Sequence, residues 1–85
     1  MNDEEAAVLR HVGLTIKAER ARRDWTQEKL AHDSGLSVSQ IARMERGLRD
    51  AGVTRIVRVA WALGIDPAVL LGGLSLHNFR NRNRR

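Results

Sequence analysis

The chain has 85 residues, no cysteine and a formal net charge of +5. A chain of this length forms one domain with a small core, and the lack of cysteine excludes disulfides, thiolate zinc sites and a cysteine nucleophile. No apolar run reaches the roughly 18 to 20 residues that a membrane span needs, and the first residues are acidic, unlike a secretory signal. We therefore expect a cytoplasmic protein without a membrane partner.

The positive charge is concentrated at the C-terminus. Arg80, Arg82, Arg84 and Arg85 carry four of the five excess charges, which leaves a net charge of +1 on residues 1–79. We predict a folded domain over residues 1–74 and a flexible basic tail over residues 75–85, because Arg and Asn dominate there and cannot form a core. The tail could be an arm that binds the DNA backbone or a solubilising end, and both readings stay open.

The chain predicts an all-α fold, because it shows helical periodicity and lacks both alternating β-branched runs and Asn-Gly or Asp-Gly turns. The first helix is predicted from about Glu5 to Arg23. The second is predicted from Gln27 to about Asp33, with Thr26 as its N-cap, and Gly35 ends it in the left-handed conformation.

Three more helices are predicted after Gly35. Ser37 followed by Gln40 fits the capping box, so the third helix should run from Val38 to about Glu45 and stop at Gly47. A polar loop follows. The fourth helix is predicted over 53–63, closed by Gly64, and the fifth begins at Pro67 after the N-cap Asp66.

The second and third predicted helices are joined by about three residues, a length that sets two helices at a steep angle. Ile41 and Met44 then face inward, and the outward face of the third helix carries short polar, basic and small apolar side chains: Val38, Ser39, Ala42, Arg43 and Arg46. A helix with this face fits the major groove of B-DNA, which is about 12 Å wide. Arg46 and Arg49 in the following loop are placed to reach phosphates.

Two blocks of the sequence carry a family resemblance. The run "WTQEKLAHDSGLSVSQIARMERG" and the later run "IVRVAWALGIDPAVLL" together resemble the Cro/XRE-type helix-turn-helix domains of phage and bacterial repressors, in a five-helix repressor-like bundle. The resemblance extends from Thr15 to Leu71. Two matching blocks at the right separation are far more specific than a single helix-turn-helix match. One departure is that Gly52 stands at the usual hydroxyl cap position of the fourth helix.

The resemblance implies roles for individual residues. Val38, Ser39 and Arg43 would contact bases, and Gln27 and Gln40 would contact the DNA backbone, although the capping box alone also explains Gln40. Arg20 and Glu45 would form an internal ion pair.

These features predict a sequence-specific transcriptional regulator, a repressor or autoregulatory control protein, of a bacterium or phage. Because a monomer of this size reads only about 4 to 6 base pairs, we expect a homodimer on a palindromic operator. Its interface is predicted on the last helix, at Val69, Leu70 and Leu74. The alternative is an antitoxin or protein-interaction module with the same fold.

Chemistry other than DNA binding is not expected. His11, His32 and His77 lack metal-ligand spacing and are read as surface residues, and no cofactor motif or catalytic constellation is present, so an enzyme is the weakest reading. A small-molecule effector stays unassigned. Trp25 and Trp61 fall in apolar helical patterns and are predicted to pack in the core or against a second subunit.

Overall fold

The computed structural model describes residues 2–76, which form five helices and no strand. The all-α prediction is confirmed. Most of the predicted basic tail, with His77 and the four C-terminal arginines, lies outside the described residues. The helices are α1 (Asp3–Arg22), α2 (Gln27–Ser34), α3 (Val38–Arg46), α4 (Val53–Ala62) and α5 (Pro67–Leu71).

Helix α1 begins earlier than predicted, because Asn2 caps it. The Asn2 side chain accepts a hydrogen bond from the Glu5 amide at 2.8 Å, and the Glu5 carboxylate accepts one from the Asn2 amide at 3.5 Å. Asp3 and Glu4 complete an acidic first turn, which suits the positive end of the helix dipole. The prediction from about Glu5 was therefore two residues late.

The helix-turn-helix has the caps that the sequence predicts. Thr26 Oγ1 accepts from the Lys29 amide at 3.0 Å, and Gly35 ends α2 with φ 71°. The Ser37 hydroxyl accepts from the Gln40 amide at 3.0 Å, while the Gln40 carbonyl oxygen accepts from the Ser37 amide at 2.8 Å. Helices α2 and α3 each run one residue further than predicted, to Ser34 and Arg46.

A small apolar core lies between the five helices, of which α2 packs on α3 and α4, α1 packs on α3 and α5, and α4 packs on α5. Its buried members come from all five helices and the loop after α4: Val12, Ile16, Leu30, Ala31, Ile41, Met44, Val59, Ala60, Leu63 and Leu70. Gly13 brings α1 against the end of α3, because a Cβ at Gly13 would collide with the backbone carbonyls of Met44 and Glu45. This contact sets how α3 sits on the rest of the domain.

One prediction about single side chains is narrowed and another is corrected. Trp25 is partly buried against the core, whereas Trp61 is 69 % exposed on α4, so for Trp61 only the predicted packing against a second subunit stays open. His11 is half-buried, and its Nε2 lies 2.5 Å from the carbonyl oxygen of Gly72, so it joins α1 to the end of α5 and is not a plain surface residue.

Candidate nucleic-acid interface

Helix α3 has one buried face and one exposed face. Ile41, Met44 and Glu45 are buried. The opposite face exposes the three predicted base-contact residues, Val38, Ser39 and Arg43, together with Arg46. Ala42 on the same face is half-buried. The exposed row therefore presents a methyl-bearing and a hydroxyl-bearing side chain on the first turn of α3 and a guanidinium on the next turn.

The capping box limits what Gln40 can do. Its carbonyl oxygen is occupied by the Ser37 amide at 2.8 Å, so the side chain is held across the first turn of α3. The amide NH2 at the other end of the group is a donor with two hydrogens. A donor is what a phosphate oxygen requires, so the cap and a backbone contact are compatible.

A buried polar network supports α3 from beneath. Arg20 on α1 donates to both carboxylate oxygens of Glu45, from Nε at 2.7 Å and from Nη2 at 3.0 Å, and its Nη1 donates to the Trp25 carbonyl at 2.7 Å. The exposed fractions of the Arg20 and Glu45 side chains are 15 % and 4 %. The hydrogen bonds to Glu45 raise the pKa of Arg20 above its usual value, which keeps the guanidinium charged.

Gln27 belongs to the same network. Its amide Nε2 donates to Glu45 Oε1 at 3.0 Å, and the side chain is half-buried. One of its two donor hydrogens is therefore used inside the domain. At the same position, the first backbone N–H groups of α2 have no partner within the helix, as at every helix start, and such groups bind anions.

The loop between α3 and α4 forms one wall of a cleft rich in arginine. This arginine cleft has a volume of about 190 Å³ and is lined by Gln40, Arg43, Met44, Arg49, Asp50, Ala51 and Arg55. Asp50 accepts from the Gly52 amide at 3.0 Å, and Arg55 donates from Nη1 to the Ala51 carbonyl at 3.2 Å. Arg46 is exposed on α3 just before the loop. The cleft adjoins the exposed row of α3, because Arg43 belongs to both.

Two arginines on α4 were missed by the sequence reasoning. Arg55 lines the cleft in the first turn of α4, a turn that has no acidic residue, and within residues 2–76 no side chain caps that helix start. Gly52 stands at the N-cap position of α4 and has no side chain that could cap the helix. This departure was visible in the sequence and could have indicated an electropositive helix start. Arg58 contacts the turn between α2 and α3, and nothing in the sequence pattern signals that contact.

The predicted dimer residues differ in their exposure. Val69 is exposed, Leu74 is partly buried against the core, and Leu70 is fully buried. The prediction for Leu70 is corrected, because its side chain is enclosed by its own chain and offers no surface to a partner. The neighbouring Val69 keeps the predicted role as an expectation.

No metal-binding or membrane feature appears in the described part of the chain. Between residues 2 and 76, no group of three or more His, Cys, Asp and Glu side chains could hold a metal ion. None of the described helices is long and apolar enough to cross a bilayer.

Comparison with known proteins identifies the domain. A family model described as helix-turn-helix matches residues 16–70. The immunity repressor protein of Bacillus phage phi105 is 39 % identical over 61 residues, which covers 72 % of this chain and 42 % of the repressor. The chain thus spans less than half the length of that relative.

Solved structures agree with the family match. The restriction-modification controller protein C.AhdI from Aeromonas hydrophila is 35 % identical with a TM-score of 0.71, over 73 % of this chain and 94 % of that one. The clp gene regulator ClgR from C. glutamicum is 25 % identical with a TM-score of 0.70, over 81 % of this chain and 95 % of that one. The chain belongs to the Cro/XRE-type helix-turn-helix family, a family of DNA-binding domains and not of enzymes.

Proposed function

We propose that this protein is a sequence-specific, double-stranded DNA-binding transcriptional regulator that inserts α3 into the major groove. The observation that carries the proposal is the exposed row of Val38, Ser39 and Arg43 on a helix whose other face is buried. The relatives are an immunity repressor, a restriction-modification controller and a gene regulator, which supports a regulatory role in the cytoplasm of a bacterium or a phage-infected cell.

Base recognition is assigned to the N-terminal two turns of α3. Arg43 has the fork geometry that binds O6 and N7 of guanine with two hydrogen bonds. Val38 is suited to a thymine methyl group, and the Ser39 hydroxyl can donate or accept at a base edge. Val38 and Ser39 at the start of α3 are short, whereas Arg43 one turn later is long. The N-terminal end of α3 can therefore come closest to the base edges.

Backbone binding is assigned to groups on both sides of that row. On one side is the start of α2, where the backbone N–H groups of Gln27 and Glu28 and the Gln27 side chain lie. On the other side are Arg46 and the arginine cleft, which Gln40 lines and where Arg49 and Arg55 supply positive charge. Such contacts fix the position of a protein on the duplex without selecting a sequence.

A homodimer on a palindromic operator is part of the proposal. A single α3 reads about 4 to 6 base pairs, which is too few for selectivity in a genome, and two-fold symmetry doubles the site. We assign the contact with the second subunit to Val69, which is exposed on α5, and to Leu74, which follows α5 and is partly buried against the core.

Selection from a pool of random duplexes tests this function. The proposal expects enrichment of a dyad-symmetric sequence with half-sites about one helical turn apart. A variant carrying Ser39→Ala and Arg43→Ala serves as the control, and it should retain binding but yield no enriched half-site. Enrichment of no sequence by the unmodified protein would exclude sequence-specific regulation.

One observation favours a second candidate, a protein-interaction module. Trp61 is 69 % exposed on α4, and a tryptophan of this kind is a frequent anchor at protein interfaces. A Trp61→Ser variant separates the two functions. Under the DNA-binding proposal it should bind selected DNA normally unless Trp61 contributes to dimerisation, whereas loss of a co-purifying second polypeptide would favour the interaction module.

A further inference from the structure

Arg58 on α4 reaches across the domain to the turn of the helix-turn-helix. Its Nε donates to the Ser34 carbonyl at 3.1 Å, and its Nη2 donates to the Gly35 carbonyl at 3.1 Å. The two acceptors lie 24 and 23 residues before it in the chain. The guanidinium thus binds the last residue of α2 and the glycine that ends it.

These two carbonyls are not used by the turn itself. The backbone bonds of the turn run from the Gly35 amide to the His32 carbonyl at 3.3 Å and from the Leu36 amide to the Ala31 carbonyl at 3.0 Å. The final carbonyls of any helix lack partners within the helix and carry the negative end of its dipole. A guanidinium satisfies both needs, since its planar fork places two N–H groups on neighbouring acceptors with little loss of freedom.

We propose that Arg58 is a positioning residue for DNA recognition, which fixes the angle of α3 by clamping the turn between α2 and α3 onto α4. The inference rests on the proposed function. Helix α3 is held at its C-terminal end by Glu45, through Arg20, and by the close approach of Gly13. Arg58 is the corresponding anchor near its N-terminal end, where Val38 and Ser39 lie.

A small error in this angle matters because base contacts tolerate little displacement. At a rise of about 1.5 Å per residue, Val38 lies roughly 10 Å along α3 from the anchored Glu45. If the turn were released, a rotation of about 10° about the Glu45 end would shift Val38 and Ser39 by roughly 1.8 Å, enough to break a hydrogen bond with a base edge. The phosphate contacts of flexible side chains would survive such a shift. Loss of Arg58 should therefore reduce selectivity more than overall affinity.

The competing role for Arg58 is a direct phosphate contact, because the residue is exposed. The two roles give different salt dependence. Removing a phosphate contact makes the negative slope of log affinity against log salt shallower by about 0.9 and weakens binding to all sequences equally. Removing a positioning residue leaves that slope unchanged and lowers the ratio of selected to random affinity.

The experiment compares Arg58→Met, which keeps the stem and removes all donors, with Arg58→Lys and with a control, Lys17→Met. Lys17 is exposed, and none of the hydrogen bonds or ion pairs found within residues 2–76 involves it. Affinity for the selected duplex and a random duplex is measured at several salt concentrations. We expect Arg58→Met to lower the affinity ratio about tenfold with an unchanged slope, Arg58→Lys to restore part of it, and Lys17→Met to leave it unchanged.

Hydrogen exchange of the free protein gives a second readout that needs no DNA. The Leu36 amide reports on the turn, and the Leu63 amide, bonded to the Val59 carbonyl at 3.0 Å, reports on the core. Arg58→Met should accelerate Leu36 exchange about tenfold more than Leu63 exchange. Equal acceleration of both amides, or a slope shallower by about 0.9 with an unchanged ratio, would overturn the inference.

The two readouts keep this inference separate from the proposed function. If no duplex is enriched, the proposed function fails, while the exchange comparison still shows whether Arg58 orders the turn. If Arg58→Met does not fold, Arg58→Lys gives the same comparison, because one ammonium cannot reproduce two bonds in fixed directions. Unchanged Leu36 exchange in Arg58→Lys would then count against the clamp.

Discussion

Arg43 and Glu45 lie two residues apart on α3 and face opposite environments. Arg43 is exposed and lines the arginine cleft, whereas the Glu45 side chain is buried under Arg20 and Gln27. A separation of two residues turns a helix by about 200°, so one side chain can face DNA while the other faces the domain. The division of α3 into a reading face and a supporting face is therefore a consequence of helical geometry.

The reading face gives the first prediction. Arg43→Ala should reduce affinity for the selected duplex by about 1 to 3 kcal/mol and abolish the preference at one base pair of each half-site. Lys17→Ala, which removes an exposed charge elsewhere, should leave the base preference intact. Binding titrations with duplexes substituted at each position measure both effects, and an equal loss for every duplex would assign Arg43 to the backbone instead.

The supporting face gives the second prediction. Glu45→Ala should lower the free energy of unfolding by about 3 to 5 kcal/mol, because it leaves the Arg20 guanidinium buried without its partner. The matched control is Arg22→Ala, which breaks a pair with Glu19 whose arginine side chain is 70 % exposed, and should cost less than about 1 kcal/mol. Urea unfolding measures both. Similar losses in the two variants would mean that burial of the Arg20–Glu45 pair contributes little.

At the level of elements, the crossing of α1 and α3 determines how closely α3 packs on the rest of the domain. Gly13 permits it, since a Cβ there would meet the carbonyls of Met44 and Glu45. Its role becomes visible when the residue is seen against the backbone of another element.

Gly13→Ala tests that role, because the two explanations predict opposite changes in the free energy of unfolding. Helix propensity alone would make alanine more stable by about 1 kcal/mol, as the reverse control Ala21→Gly at an exposed site of α1 should show. The close approach predicts the opposite, a loss of about 1 to 3 kcal/mol, because α1 and α3 must separate. A Gly13→Ala protein with a raised midpoint of thermal unfolding would contradict the account.

The elements differ in how far the sequence could predict them. The bounds of α2 and α3 were predicted to within one residue, because Thr26, Gly35 and Ser37 act through bonds to residues a few positions away. The start of α1 was missed, since the capping role of Asn2 was not considered. The internal contacts of Gln27 and Arg58 were not predicted, because their partners lie 18 to 24 residues away and include main-chain carbonyls that no side-chain pattern reveals.

For the whole molecule, the positions of the charges matter more for DNA binding than the net charge. Residues 2–76 contain 11 lysines and arginines and 10 acidic residues, so the described domain is almost neutral. The acidic side chains include the first turn of α1 and the buried Glu19 and Glu45, while arginines line the cleft beside α3. Attraction of the domain to DNA therefore depends on one face.

Association of two subunits gives the fourth prediction. Val69→Glu should shift the protein from dimer to monomer without lowering the unfolding free energy of the monomer itself, because the side chain is exposed on α5. Leu70→Ala, its buried neighbour, should lower the unfolding free energy by about 2 to 5 kcal/mol. Sedimentation equilibrium and thermal unfolding separate the two effects, and an unchanged mass for Val69→Glu would place the dimer surface elsewhere.

The central claim is that the exposed face of α3 enters the major groove. A titration of the labelled protein with its selected duplex, followed by amide and side-chain NMR shifts, tests it most directly. The account predicts the largest changes at Val38, Ser39 and Arg43, with smaller ones at the start of α2 and in the loop after α3. Shifts confined to α1 and α5, with α3 unaffected, would contradict it.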